Sequence, residues 1–74
     1  MVNFYTERKK LIKEIDGICR MSILVDGKEI DQEKLLYGLS LKYELGKKQF
    51  LEVIEDAVKQ YGLVVDEGVI RRDD

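Results

Sequence analysis

The chain has 74 residues, of which 45% are hydrophobic and 38% charged, and a formal net charge of −2 at pH 7. A single domain is expected, since a chain this short buries only about 60% of the surface its unfolded form exposes. With one cysteine and no histidine, the common nucleophile–base pairs and zinc sites lack their residues, and no apolar run approaches the roughly 20 residues that span a bilayer.

Residues 1–8 lack the apolar core of a signal peptide, and Cys19, being alone, excludes an internal disulfide. A reducing, cytoplasmic setting is therefore expected. Cys19 itself, beside Ile15 and Ile18, reads as a small buried hydrophobe. The first helix is expected over about Thr6 to Arg20, with Leu11, Ile15 and Ile18 on one apolar stripe. Gly17 inside it lowers helix propensity by about 1 kcal/mol relative to alanine, so it either permits close packing or marks an early end. Arg8, Lys9, Lys10 and Lys13 form a basic cluster on this helix.

Ser22-Ile23-Leu24-Val25 reads as a short strand and Asp26-Gly27 as a two-residue turn. Lys28-Glu29-Ile30 then returns as a second strand or leads extended into the next helix. Asp31 is placed to cap that helix, whose buried side is expected to be Leu35, Leu36, Leu39 and Tyr43. After the turn Glu44-Leu45-Gly46 comes the clearest pattern in the chain. Phe50, Ile54, Ala57, Val58 and Tyr61 fall at i, i+4, i+7, i+8 and i+11, one face of a third helix. Gly62 is expected in the left-handed conformation that ends it. Leu63-Val64-Val65 and Val69-Ile70 flank Asp66-Glu67-Gly68, read as a three-residue hairpin loop with a glycine bulge, and residues 71–74 as a frayed tail.

The order helix, strand, helix, turn, helix, hairpin resembles the winged helix-turn-helix superfamily. The residues that carry the resemblance are Lys42-Tyr43-Glu44-Leu45-Gly46-Lys47-Lys48-Gln49-Phe50, similar to the turn into a recognition helix, and Tyr61-Gly62-Leu63-Val64, similar to a helix-to-wing junction. The implied fold is a small α+β winged helix over residues 1–74, with three helices, a short N-terminal β segment or hairpin, and a C-terminal β-hairpin wing.

The resemblance also implies a function, binding of double-stranded DNA as a small transcriptional regulator, with a homodimer supplying the second half-site. Lys47, Lys48 and Gln49 then occupy the base-reading positions, where lysine reaches guanine acceptors and glutamine pairs with adenine. Lys42 lies beside them, Arg71 and Arg72 on the returning wing strand meet phosphates, and Arg8, Lys9 and Lys10 extend the backbone footprint. Departing from the pattern, Glu52 and Glu55 lie farther along the recognition helix and Asp66-Glu67 at the wing tip, where carboxylates would face phosphates. The alternative is a protein-interaction winged helix, an adaptor in a replication, transcription or division assembly, using its acidic side against a basic partner. A third reading is a structural subunit stable only in a larger assembly. No catalytic residues, cofactor or metal are expected: no glycine-rich phosphate loop is present, and the acidic residues from Asp26 to Asp31 do not have calcium-loop spacing.

Overall fold

The computed structural model describes residues 4–73 and has an α+β architecture of three α-helices and a three-stranded antiparallel sheet. Helix α1 (Phe4–Gly17) runs without a break into a π-helical stretch over Ile18–Val25. The expected strand at Ser22–Val25 is therefore helical. The cause lies in the spacing of the buried side chains, because Leu11, Ile15, Cys19 and Ile23, each at most 2% exposed, recur every four residues. That spacing outruns the roughly 3.6 residues of an α turn and would carry Ile23 off the buried face. The wider π turn takes up the drift. Gly17 is neither a close contact nor an end; it sits at the switch from α to π, with open space where a Cβ would lie.

Asp26-Gly27 ends this helix rather than turning a hairpin. The backbone N–H groups of Asp26, Gly27 and Lys28 close back onto the carbonyls of Met21, Ile23 and Ser22 at 2.9–3.0 Å, and Gly27 takes φ +71°, as left-handed helix ends do. No first hairpin forms. Strand β1 is only Ile30–Asp31, the extended lead into α2 (Gln32–Lys42). Asp31 caps α2 as expected, its Oδ1 accepting from the Lys34 backbone N–H at 3.2 Å. Leu36 and Leu39 are buried on α2, with Leu35 and Tyr43 half-buried against the same core.

Helix α3 (Lys47–Gln60) buries Phe50, Ile54, Ala57 and Val58, and also Val53, which the stripe read from the sequence omits. It packs against α1, α2 and the first strand of the hairpin. Gly62 at φ +64° lets the chain leave α3 directly into β2 (Leu63–Asp66) and β3 (Val69–Arg72). The sheet order is β1-β3-β2, with Ile30 opposite Ile70 and Leu63 opposite Arg72. Arg71 and Arg72 are thus ladder residues, where a frayed tail was expected from position 71. They are held by pairing to Val64 and Leu63.

The hairpin loop also differs from expectation. Asp66 pairs with Val69, so the loop is two residues, Glu67 and Gly68, with φ of 52° and 76°. Positive φ at both positions is the type I′ geometry that matches strand twist, for which Asn-Gly is preferred. Glutamate in the left-handed region is strained. Replacing it, Glu67→Asn, should stabilise the domain by about 0.5–1 kcal/mol, read as a rise of about 2–8 °C in the thermal midpoint.

Candidate nucleic-acid interface

Helix α3 opens at Gly46, whose carbonyl accepts from the N–H groups of Gln49 and Phe50 but which has no side chain to cap the turn. The Lys47 and Lys48 N–H groups and the positive end of the helix dipole are therefore open to an anion. Lys47 and Lys48 stand exposed on this turn, in no ion pair among the described residues, and the turn carries no carboxylate. Of the nine expected contact residues, these two lie exposed at the start of α3 with no ion pair among the described residues.

Arg8 joins them from α1. Its Nη1 donates to Gln49 Oε1 at 3.2 Å, and its Nη2 lies 3.8 Å from Glu52 Oε2. This contact sets Arg8 against the first turn of α3, while Lys9 and Lys10 are exposed about 100° and 200° farther around α1. Lys9 Nζ sits over the Tyr5 ring, 4.9 Å from its centroid, which leaves its charge accessible. The same contact engages Gln49. Bidentate pairing with adenine uses the amide oxygen and the amide nitrogen, and the oxygen, with two lone pairs, accepts one bond from Arg8. Gln49 thus links the start of α3 to α1 through Arg8.

Three expected residues lie elsewhere. Lys42 reaches back to α1, its Nζ 3.0 Å from Glu14 Oε2, while Tyr43 Oη donates to Glu14 Oε1 at 2.8 Å. Arg71 is turned onto its own hairpin, donating to Asp66 Oδ2 at 3.1 Å. Arg72 lays its guanidinium along Gly27, where an added Cβ would lie 3.8 Å from Nη2. Both arginines pair with the residues that directly follow α3, so their backbone is a helix length, roughly 20 Å, from Lys47. The hairpin tip does not project either, since the Gly68 carbonyl accepts from Gln32 N–H at 2.8 Å and tucks the tip against α2.

Beyond Lys48 the same face of α3 turns acidic. Glu52, Glu55 and Asp56 are exposed, and Glu55 is paired to Lys59 at 3.1 Å. An apolar surface is also present on α2. Tyr37 and Leu41 on α2 are 68% and 71% exposed. Their signal was available, as two large apolar residues four apart that fall off the buried stripe of Leu35, Leu36 and Leu39.

Burial opposes ionisation of Glu14, but the hydrogen bonds from Lys42 and Tyr43 outweigh it and hold the carboxyl below its usual range. The Tyr43 hydroxyl is pushed up to about 12, by burial and then by Glu14. A carboxyl lowered in the folded state contributes stability that is complete above the unfolded value and is lost as pH falls through the folded one. Glu14→Gln should therefore cost about 0.5–1 kcal/mol near pH 7, with the difference from wild type closing as urea midpoints are followed down to about pH 3. Tyr61 donates to Asp16, which raises the tyrosine's pKa and ties the end of α3 to α1. Burial, with Asp16 nearby, pushes the Cys19 thiol up to about 11, so it stays protonated and unreactive at neutral pH.

No group of three or more potential ligands among the described residues could hold a metal ion. No described helix is long and apolar enough to cross a membrane. Comparison with protein-family models, with curated proteins and with solved structures yields no match.

Proposed function

We propose that this chain is a small winged-helix protein that binds double-stranded DNA through the first turn of α3 and the adjoining basic side of α1, in the manner of a cytoplasmic transcriptional regulator. The observation that carries the reading is the exposed, unpaired Lys47-Lys48 pair on an uncapped helix start, with Arg8 bridging to the same turn. The order of elements supports it, since β1 joins the C-terminal hairpin in one sheet and α2 leads by a short turn into α3. Docking by this end would place cations at phosphates or guanine acceptors while the carboxylates of α3 stay farther out. Neither the hairpin tip nor Arg71 and Arg72 takes part.

Binding to generic duplex DNA across a salt series tests this. Each phosphate contact adds about −0.9 to the slope of log affinity against log salt. Lys47→Ala/Lys48→Ala should flatten that slope by about two units and weaken binding at about 50 mM salt by more than tenfold. Absence of binding by the wild type at low salt would sink the proposal. The acidic run Glu52, Glu55, Asp56 and the exposed Tyr37 and Leu41 favour the second reading, an adaptor that meets other proteins.

A further inference from the structure

Leu11, Ile15, Cys19 and Ile23 are buried at every fourth position of the long N-terminal helix, so the residues midway between them, also four apart, point outward. These are Tyr5, Lys9, Lys13, Gly17, Met21 and Val25. The π turn that keeps Ile23 on the buried line also keeps Met21 and Val25 on the outward one. Apart from half-buried Gly17 all of them are exposed, and the line is at most about 30 Å long.

The chemistry of this ridge is mixed. Tyr5, Met21 and Val25 on the line, with Ile12 beside it, are large hydrophobes left exposed. Lys9 and Lys13 on the line, with Lys10 and Arg20 flanking it, are exposed and in no ion pair among the described residues. The exposed residues from Tyr5 to Val25 include no carboxylate; Glu7, Glu14 and Asp16 are half-buried. Lys42 and Tyr43 hold Glu14, and the Tyr61 hydroxyl donates to Asp16. Nearby, Asp56 of α3 shares a cleft with Ile12, and exposed Asp26 follows Val25, with Lys28 exposed two residues on. In a chain of net charge −2, the ridge is cationic.

A straight, convex ridge that carries both cations and hydrophobes needs a partner that is anionic and apolar along its whole length. A duplex backbone supplies the charge alone, and Met21 and Val25 lie roughly 20–25 Å along the helix from Arg8. A protein segment would have to match the ridge position by position. The interface of an anionic bilayer is laterally uniform, with charged headgroups above acyl chains, and it takes a helix lying in its plane. We infer that this ridge docks on an anionic lipid surface, without crossing it. Met21 and Val25 dip to the acyl boundary and Tyr5 sits at headgroup level. Lys9, Lys10, Lys13 and Arg20 meet the headgroups, their stems along the apolar surface. An open hollow of about 490 Å³, lined by Thr6, Lys9, Lys10, Ile12, Lys13 and Asp16, leaves a headgroup phosphate room beside three ammonium groups. The inference does not depend on duplex binding, and Lys9 and Lys10, which both surfaces share, stay unchanged in its test.

Flotation of the full chain with lipid vesicles, without nucleic acid, is the test. At about 50 mM salt the chain should bind phosphatidylcholine vesicles that contain about 30% phosphatidylserine and ignore pure phosphatidylcholine, because each Lys or Arg at the surface is worth about fivefold. Lys13→Ala/Arg20→Ala, outside the proposed duplex footprint, should bind about 25-fold more weakly. Met21→Ser/Val25→Ser should bind about tenfold more weakly through the loss of apolar insertion. All four positions are exposed, so the circular dichroism and melting of both variants should stay those of the wild type. No binding of the wild type to the anionic vesicles, or equal binding to the neutral ones, overturns the inference. Full binding by the Lys13/Arg20 variant overturns it as well. Full binding by the Met21/Val25 variant would leave charge alone at work, overturn the lipid reading and give the ridge to an acidic protein segment.

Discussion

Ile54→Ala should lower the stability of this domain by about 3 kcal/mol and its thermal midpoint by about 12–24 °C. Ile54 is 0% exposed and lies midway along α3, the helix that touches α1, α2 and the hairpin. Truncation there loses the transfer energy of the removed methyl groups and leaves a cavity that three surrounding elements cannot all close. A domain of this length has only about 4–11 kcal/mol of stability in total, and Cys19, its one cysteine, is free. Ile12→Ala is the control. Ile12 is 47% exposed on α1, and its loss should change stability by less than about 1 kcal/mol. Urea titrations of both variants would check the contrast; equal effects would mean that the core is not centred on α3.

Glu55→Lys/Asp56→Lys should strengthen binding to generic duplex DNA about tenfold at low salt and steepen the salt dependence by up to about two units. Both residues lie on the face of α3 that begins with Lys48, two turns along, and both are exposed. In the wild type they limit how far the helix can lie along the phosphates, because a carboxylate brought to a phosphate costs affinity and encounter rate. Reversal removes that repulsion and offers two new contacts. The structural penalty is small, since the Glu55–Lys59 pair is exposed and worth only about 0.3–0.5 kcal/mol. Glu52 is left in place because it lies beside Arg8. Filter binding or fluorescence anisotropy over a salt series gives both quantities. Unchanged affinity would mean that this face of α3 never approaches the duplex.

The chain announces its second half more openly than its first. From Asp31 onward each helix has a cap or a left-handed glycine at an end and a stripe at helical spacing, and Asp31, Leu36, Leu39, Phe50, Ile54 and Gly62 all sit where those signals place them. Ser22–Val25 misleads because three apolar residues after a serine are too few to distinguish strand from buried helix. What decides is register with Leu11, Ile15 and Cys19, a tertiary demand met by a π turn. The hairpin loop was read one residue too long because glutamate is a poor candidate for positive φ, and the ladder imposes that φ on Glu67 regardless.

The charged residues could be found in the sequence, but not their partners. Lys42 pairs with Glu14, 28 positions away, and Arg8 with Gln49, 41 positions away. Such long-range contacts decide which cations are left for a ligand, and no local pattern encodes them. In the proposed reading they narrow the expected nine-residue footprint to Lys47 and Lys48, which have no ion-pair partner among the described residues, with Arg8, Lys9 and Lys10 on α1.

Backbone amide shifts of the full chain, followed by NMR as a generic duplex is titrated in at low salt, test that reduced footprint most directly. Shifts should concentrate at Arg8 to Lys10 and Lys47 to Gln49, with Glu55, Asp56, the hairpin tip at Glu67-Gly68 and Arg71-Arg72 unmoved. Shifts centred on the hairpin or on the middle of α3, or no shifts at all, would contradict the account.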